Sequence, residues 1–528
     1  MQGRTSSDRA GRDAPRPALP RGPGPWGTVL IAVALTALSL SLRMTLLGGT
    51  FQSADNAELA VQVLYNPGYE WMTREPYGVL INVLAKLFAG TASALGVTVT
   101  EFLWRVPVAL IGSLHAAVAY LFLRRLRAGS VGALLGGLAI AVLPVHVMQS
   151  RYLWGYEVLG AFTLTLAMWA LIAFLKSPRP LTAAAASGLS ALYLLSHGYF
   201  FPFAGCLVAV TAVFGPGEGV PERLRGGAVL LVRKLVWVGP SLAFPLYWYA
   251  LAHALTRRAR AGFYLPEHAW GFLGNVGWPL ALCFAAALAL SVRVRTGGRP
   301  VAGLLGVCGL SYLVPLMLAA PPGVTMVRGY MLVGITLLVL CAAVAAGEVG
   351  RAHPRPVLVA GALCLALTLW GTVESVFWLD RLPDPSLVAV ERGGVRLDPG
   401  SKAAGYVVRK HVPSSAVLLA VHPAVEPPNL FYYFGRVEYA FYDFTEEQLL
   451  RRLTSMRAHM DVVICEPAHK AAMEGQERFP HRLVIMSRGE PVMWICTTRE
   501  FELPCEAADA EELNRAFDRE FAPRVRLW

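Results

Sequence analysis

Long apolar runs separated by short, mostly basic segments restrict what this sequence can fold into. The first extends from Trp26 to Leu47, and others of similar length follow it. A helix of roughly twenty residues spans the ~30 Å hydrocarbon core of a bilayer. Only 16% of the 528 residues are charged and 55% are hydrophobic, whereas roughly a quarter of a soluble domain is charged. The chain is therefore predicted to be an α-helical polytopic membrane protein.

The formal net charge of +12 suits either a nucleic-acid-binding protein or a membrane protein with basic cytoplasmic loops. The apolar runs favour the second class, so no nucleic-acid partner is expected. Residues 1–25 are rich in Arg, Pro and Gly without a core-forming pattern, which predicts a disordered tail. The apolar run after the tail is too long for a signal-peptide core, so it should remain as an uncleaved anchor.

Lys and Arg predict the orientation of the spans, because short cytoplasmic loops are enriched in both. Five arginines place residues 1–25 in the cytoplasm. The stretch Tyr77–Leu95 is predicted to lie in the outer interface, because a crossing there would put "RRLR" (Arg124 to Arg127) outside. This choice gives roughly eleven transmembrane helices. The predicted spans are 26–47, 102–123, 131–148, 157–175, 181–197, 199–213, 235–253, 276–292, 300–319, 329–347 and 356–378.

Composition divides the chain after the tail into two further parts. Residues 26–379 form the predicted transmembrane domain, with an outer loop at 49–101. Residues 380–528 are charged and mixed, and the topology places them on the extracytoplasmic side. The β-like runs "AVLLAV", "DVVIC" and "RLVIM" alternate there with helical stretches such as "TEEQLLRRLTSMRAHM", which predicts a small α/β domain. Three of the eight cysteines (Cys465, Cys496 and Cys505) lie in this part, and their odd number leaves any disulfide pairing unspecified.

Charged residues on the predicted outer face are exceptions to the charge rule. Acids stand at the outer ends of the first and fourth spans, and bases precede the eighth and tenth. Each one alone is explained as a solvated loop charge or a helix end. Together, carboxylates and arginines on one face form a site able to deprotonate a hydroxyl and hold a phosphate. The set comprises Asp55, Glu58, Arg74, Glu75, Arg151, Glu157, the cluster "HALTRRARAGFY" (His253 to Tyr264) and Arg328.

Several segments occur in an order that has a known counterpart. "SADNAELA" is an acidic first outer loop, "TREPYGVLINVLAKLFAG" an interfacial segment, and "FLWRVPVALIGSLHAAVAYLFLRRL" the next span. "PVHVMQSRYLWGYEVLGAF", "LLSHGYFFPF" and "MVRGYMLVGITLLV" follow. This order resembles the polytopic glycosyltransferases of the C superfamily (GT-C), especially the family 39-like protein O-mannosyltransferases and aminoarabinose transferases. The resemblance covers most of residues 26–350 by order and spacing.

The resemblance implies a glycosyltransferase of the cell inner (plasma) membrane. It would move a sugar from a polyprenyl-phosphate-linked donor to an acceptor hydroxyl on the extracytoplasmic face, with inversion. Asp55 is then the favoured general base, and Glu58 and Glu157 are further catalytic candidates. Arg328 is the favoured ligand of the donor phosphate. The other predicted substrate-binding residues are Tyr330, Arg151, Arg257, Arg258, Arg74, His197 and His253.

Structural roles compete with these assignments. Asp55 is also a preferred N-cap for the apparent helix "NAELAVQVLY", and Glu58 would complete a capping box. Two positions depart from the family pattern, Asn56 where relatives carry a second acid and Glu75 where they often carry a Lys.

A polytopic transporter or flippase of an anionic lipid or solute is the alternative function, since its arginines would bind substrate and its acids would couple protons. Against it, the acids lie in an outer loop, and the sequence lacks a pair of similar halves. The sequence leaves open the sugar, the acceptor (lipid, glycan or protein) and the participation of a divalent metal.

Overall fold

The fold was obtained as a computed structural model. The structure describes residues 23–45, 47, 60–61, 64, 79–153, 155–196, 200–245, 272–273, 276–319, 327–373, 390–392, 395–398, 400–422, 425, 430–436, 439–441, 445–455 and 460–523.

Helices make up the domain predicted to cross the membrane. Their bounds are α1 Pro25–Met44, α2 Val79–Ala94, α3 Glu101–Arg125, α4 Gly129–Val142, α5 Pro144–Gln149, α6 Tyr156–Lys176, α7 Pro180–Leu195, α8 Phe200–Phe214, α9 Val220–Arg233, α10 Trp278–Ser291, α11 Val301–Ala319, α12 Val327–Ala352 and α13 Pro354–Val373. Among the described residues, five segments are long and apolar enough to span a bilayer: α1, α3, α6, Met331–Ala352 and α13. A sixth is counted if α9 and the following helix Val238–Pro245 are one bent span. The larger predicted number of spans stays a prediction.

Helix α2 occupies most of the stretch predicted to lie in the outer interface. Its 16 residues extend about 24 Å, short of the ~30 Å of a hydrocarbon core. Asn82 and Lys86, one turn apart, are buried against the protein, whereas Leu87 is exposed. The length and the two-sided character suit an interfacial helix, and its position on the outer face stays a prediction.

The predicted span 131–148 is divided into two helices. Helix α4 ends at Val142, Leu143 is extended (φ −60°, ψ 121°), and α5 begins at Pro144. Proline has no N–H to donate to the carbonyl of Ile140, four residues earlier, and its ring disfavours helical geometry at the residue before it. The last carbonyls of α4 therefore need partners from elsewhere in the protein.

Residues 220–233, which the predicted topology leaves in a cytoplasmic loop, form helix α9. Its axis makes an angle of 74° with that of the next helix, Val238–Pro245. Gly227 packs closely on α8, because a Cβ at this position would lie 2.2 Å from Cγ2 of Thr211. The sequence analysis missed this helix because its mixture of apolar and charged residues is too polar for a span.

The C-terminal part contains the predicted mixture of strands and helices. Its elements are β1 Val390–Arg392, β2 Val395–Leu397, α14 Ser401–His411, β3 Leu418–Val421, a π-helix Leu430–Phe434, β4 Tyr439–Phe441, α15 Glu446–Ser455, β5 Val462–Cys465, a 3₁₀ turn Pro467–His469, α16 Lys470–Glu474, β6 His481–Ser487, β7 Glu490–Thr497, β8 Ala507–Asp509 and α17 Ala510–Glu520. One six-stranded sheet has the order β4-β3-β5-β7-β6-β8. The pairs β3–β4, β3–β5 and β6–β8 are parallel, and β5–β7 and β6–β7 are antiparallel.

The three predicted strands are confirmed as β3, β5 and β6, and the predicted helix as α15. Strand β7, which lies between β5 and β6, was not predicted. It follows a tight turn in which Arg488 (φ 51°) and Gly489 (φ 83°) are both left-handed, as the hairpins of twisted sheets require. All eight cysteines are free, and Cys465 and Cys496 lie on the adjacent strands β5 and β7.

The α/β domain packs on the end of the helical domain where α3 begins. Lys402 of α14 donates from Nζ to Glu101 Oε2 at 2.6 Å and to Asp518 Oδ1 at 2.7 Å. Nearby, Trp104 donates from Nε1 to the Tyr432 hydroxyl at 3.3 Å. The Lys402 side chain is fully buried and that of Glu101 almost so. Buried polar contacts thus fix the α/β domain on this face.

Candidate functional site

Helix α1 precedes the predicted first outer loop, and two arginines hold the end of this helix. Arg105 donates from Nη1 to the Leu47 carbonyl at 2.6 Å and is 3% exposed. Arg151 donates from Nη1 to the Thr45 carbonyl and to carbonyls in the last turn of α1. Cations are favourable at a helix C-terminus, where the carbonyls lack intrahelical partners. The two guanidinium groups therefore fix the point where the loop starts.

A third arginine, Arg43, lies in the last turn of α1 and points into the bundle. It is fully buried and donates to the carbonyls of Ala141, at 3.0 Å, and Ile140, at 3.3 Å. The Val142 carbonyl accepts from the Thr372 hydroxyl. The helix break after α4 leaves these three carbonyls without helical donors, and side chains from α1 and α13 satisfy them. The negative end of the α4 dipole also stabilises the buried guanidinium.

A chain of buried polar groups continues from Arg43 across the bundle. Arg43 Nη2 lies 2.8 Å from His146 Nδ1, His146 Nε2 lies 2.8 Å from His115 Nδ1, and His115 Nε2 lies 3.1 Å from Thr165 Oγ1. Thr165 donates onward to the Ala161 carbonyl at 2.9 Å. A guanidinium only donates, so Nδ1 of each imidazole accepts and Nε2 carries the proton. Both imidazoles are therefore neutral, and the chain links the C-terminal turn of α1 and helix α5 to the middle of α3 and of α6.

Glu157, a predicted catalytic residue, is described. It lies in the first turn of α6 and is 2% exposed. The positive end of the helix dipole favours a carboxylate at this position. Burial this deep favours a role in holding the helix ends over direct contact with a diffusing acceptor, and the catalytic role of Glu157 stays a prediction.

Arg328 and Tyr330 lie in the first turns of α12, but their side chains are outside the described part. Farther along α12, Val333 lies 3.6 Å from the position of a Cβ on Gly160 of α6. Helix α12 therefore begins at the same end of the bundle as Glu157 and Arg151. The remaining predicted site residues lie outside the described residues: Asp55, Glu58, Arg74, His197, His253, Arg257 and Arg258.

Sequence reasoning missed the residues that organise this end of the bundle. Arg43, His115 and His146 were read as parts of apolar runs, although ionisable groups inside spans are rare and are usually retained for a purpose. Lys86, in the stretch predicted to be interfacial, is 9% exposed. The signal available in the sequence was the presence of ionisable residues within apolar segments.

An apolar cavity of about 410 Å³ lies between α4, α10, α12 and α13. Two lining thiols, the exposed Cys283 and the half-buried Cys364, are 3.7 Å apart between α10 and α13. The cavity therefore reaches the lipid-facing surface there, where hydrocarbon chains can fill it.

Among the described residues, no three His, Cys, Asp or Glu side chains are grouped so that they could hold a metal ion. Arg105 and Arg151 hold the end of α1, and Trp104, the neighbour of Arg105, contacts Tyr432 of the α/β domain.

No protein-family model and no curated protein matches the sequence. Solved structures do match. ArnT from Cupriavidus metallidurans, bound to undecaprenyl phosphate, superposes with a TM-score of 0.51 at 16% identity, over 90% of this chain and 98% of that chain. The arabinofuranosyltransferase AftD from Mycobacteria, in a mutant form, superposes with a TM-score of 0.50 at 14% identity, over 91% of this chain and 42% of AftD. The resemblance seen in the sequence is thereby confirmed at the level of the fold: the chain has the fold of ArnT.

Proposed function

We propose that this protein is a membrane glycosyltransferase that takes a sugar from a polyprenyl-phosphate-linked donor. The observation that carries the proposal is the similarity over 90% of the chain to ArnT, a structure bound to undecaprenyl phosphate. The acceptor is a hydroxyl on the face that holds the α/β domain, which we take to be extracytoplasmic.

The first outer loop supplies the base in this proposal. Asp55 removes the proton of the acceptor hydroxyl while its oxygen attacks the anomeric carbon of the donor. The bond between that carbon and the phosphate oxygen breaks, and polyprenyl phosphate leaves with the electron pair. Attack opposite the leaving group inverts the anomeric configuration. Arg105 and Arg151 act indirectly, because they fix the start of the loop that carries Asp55.

Positive charge at the start of α12 stabilises the leaving phosphate. Arg328 is the proposed ligand, with Arg257 and Arg258 as the alternative cations, since preorganised charge is usually the largest catalytic contribution. Donor phosphate and Asp55 then both lie at headgroup depth, on the side where α1 ends and α12 begins. Glu58, Tyr330, Arg74, His197 and His253 are proposed to line the donor and acceptor sites.

The direct test incubates the purified protein with a labelled polyprenyl-phosphate sugar and an acceptor extract, in detergent and without a membrane gradient. Release of polyprenyl phosphate and labelling of the acceptor are expected. Asp55→Asn keeps the size and the capping ability of the side chain, and transfer should fall by roughly 10²–10⁴-fold, the usual contribution of a general base. Asp13→Asn, in the N-terminal tail, is the matched control and should transfer normally.

Two outcomes would contradict the proposal. Gradient-dependent movement of a lipid or solute without release of polyprenyl phosphate would indicate the transporter alternative. Normal transfer by the Asp55→Asn variant, with unchanged thermal stability, would remove Asp55 from the chemistry and leave it as a helix cap.

A further inference from the structure

Five basic side chains converge on the face opposite the α/β domain. Arg125 and Lys176 are the last residues of α3 and α6, and Arg127 lies just beyond α3. Lys176 lies within electrostatic range of Arg125, Arg127 and Arg299, and Arg299 within range of Arg223 on α9. Three helices and two connecting segments thus bring like charges together, which is unfavourable unless an anion accompanies them. These five residues are called the basic cluster below.

An aromatic ring holds two members of the basic cluster in place. Lys176 Nζ lies 5.0 Å and Arg299 Cζ 5.1 Å from the centroid of the Phe214 ring. Cation–π contacts orient both groups, but a neutral ring leaves their charges in place. Phe214 therefore preorganises two cations without neutralising them.

Donor groups in the basic cluster are available for a ligand. Within the described part of the chain, Arg299 Nη1 and Thr296 Oγ1 are both buried and make no hydrogen bond. Thr296 is 3% exposed, and a backbone bridge (Thr296 N to Arg299 O, 2.9 Å) holds the two residues together. Buried polar groups are almost always paired, so an unpaired guanidinium nitrogen beside an unpaired hydroxyl indicates a missing acceptor.

The acidic side chains of the described residues, including Glu222 beside Arg223 in the sequence, form no ion pair with the cluster. Glu348 is engaged with Arg351, on the same face. Arg223 donates to the backbone carbonyls of Gly217 and Glu218. No ion pair of Arg125, Arg127, Lys176 or Arg299 is formed within the described ranges. The positive charge of the cluster is therefore not neutralised by the described residues, and an external anion can bind it.

Helix α9 indicates the depth of the basic cluster. It carries Arg223, Arg225 and Arg233 together with the exposed apolar residues Val229 and Val232. Amphipathic helices rich in Arg lie in the membrane interface with their apolar side toward the acyl chains. The 74° angle to the next helix fits a helix along the surface followed by one that enters the bilayer. The cluster then lies at the level of lipid phosphates.

We propose that the basic cluster, with Phe214 and Thr296, binds a phosphate ester on the face opposite the α/β domain. The phosphate oxygens accept from Arg299 Nη1, Thr296 Oγ1 and Lys176 Nζ, since charge-assisted bonds from Arg and Lys are the usual means of holding phosphate. The ester is either the headgroup of an anionic phospholipid or a soluble phosphate monoester. This site is separate from the proposed transfer site and does not depend on it.

The test uses the full chain in neutral detergent. Binding is followed by native mass spectrometry and by thermal unfolding, with phosphatidylglycerol, phosphatidylcholine or glycerol phosphate added. The paired variant Lys176→Gln/Arg299→Gln should weaken phosphatidylglycerol binding by at least about tenfold, because hydrogen bonds to charged groups are lost. The matched control Arg233→Gln/Lys234→Gln removes two charges of the same face outside the cluster and should bind normally. Thr296→Val removes only the hydroxyl. If the paired variant fails to fold, weaker phosphatidylglycerol binding by Thr296→Val tests the site instead.

Cluster-dependent binding of phosphatidylglycerol but not of glycerol phosphate supports the lipid as the source. Equal, cluster-dependent protection by glycerol phosphate supports a soluble ester at the same site. The proposal is overturned if both paired variants lose binding equally, or if Thr296→Val and Lys176→Gln/Arg299→Gln bind as the unaltered protein does. Either result would mean that the cluster is not a specific phosphate site and contributes only to the general positive charge of a cytoplasmic face.

Discussion

Replacing Lys402 with Met tests how the α/β domain is held on the helical domain. The ammonium group lies between Glu101 Oε2, at 2.6 Å, and Asp518 Oδ1, at 2.7 Å. The side chains of Lys402 and Glu101 are 0% and 2% exposed, whereas that of Asp518 is 30% exposed. Methionine keeps most of the length of the side chain and removes the charge, so the carboxylate of Glu101 stays buried without its cation.

The expected magnitude follows from the unequal burial of the two carboxylates. Breaking a buried pair by removing one partner costs roughly 3–5 kcal/mol, mostly from the uncompensated charge that stays behind. Asp518 reaches water and contributes at most about 1 kcal/mol. We therefore expect Lys402→Met to lower the free energy of opening of this contact by about 3–5 kcal/mol. Lys470→Met breaks an exposed pair with Glu474 and should cost about 1 kcal/mol or less.

Hydrogen exchange of the backbone amides of α14 and α17 measures the opening free energy directly in detergent micelles. In the variant, both helices should lose protection together, while α6 and α12 keep theirs. The double variant Glu101→Gln/Lys402→Met leaves no buried charge and should recover part of the loss. An equal effect of Lys402→Met and Lys470→Met would refute the argument, because burial would then not determine the strength of the pair.

Three further predictions concern the proposed donor site, the α/β domain and the helix core. Arg328→Ala should raise the KM for a polyprenyl-phosphate sugar by roughly tenfold or more, the equivalent of one charge-assisted bond of ~1.5–3 kcal/mol; an unchanged KM in a transfer assay would move the phosphate to another cation. Burial lowers the pKa of His422 to about 4, below the ordinary value of about 6.5, so between these values the unfolded chain binds a proton that the folded chain does not. The α/β domain should therefore lose about 3 kcal/mol as the pH falls from 7 to 4; hydrogen exchange of β3 measures this, and His422→Gln should flatten the dependence. Gly112→Ala should destabilise the bundle by roughly 1–3 kcal/mol, because its Cβ would lie 2.2 Å from Ser150 Oγ; thermal unfolding should show no such loss for Gly188→Ala, which meets nothing within 4 Å.

The parts of the fold that depend on local sequence were predictable. Apolar length identified α1, α3 and α6 as spans, and alternating apolar residues identified β3, β5 and β6. Pro144 carried a readable signal for the break after α4, since proline cannot continue the hydrogen bonds of a helix. The predicted continuous span was wrong at this point because apolar length was given more weight than a single proline.

The contacts between distant segments could not be predicted. Arg43 binds a carbonyl 98 residues later in the chain, and Lys402 binds an acid 301 residues earlier. The local sequence around Arg43 or Lys402 does not identify the partner, because a buried charge requires only that some partner exist. Strand β7 was missed for a related reason. It lies between β5 and β6, and this position is defined only once the sheet has assembled.

The arrangement around Arg43 also has a consequence for how the chain is made. α1 leaves the ribosome before α4 and α13, yet the carbonyls that accept from its arginine belong to α4, and the hydroxyl that satisfies the adjoining Val142 carbonyl belongs to α13. During synthesis the charge of Arg43 must therefore stay near water or lipid headgroups until α4 has been inserted. Thr372 of α13 completes the set of donors, so α1 and α4 reach their final packing only after α13 has been translated.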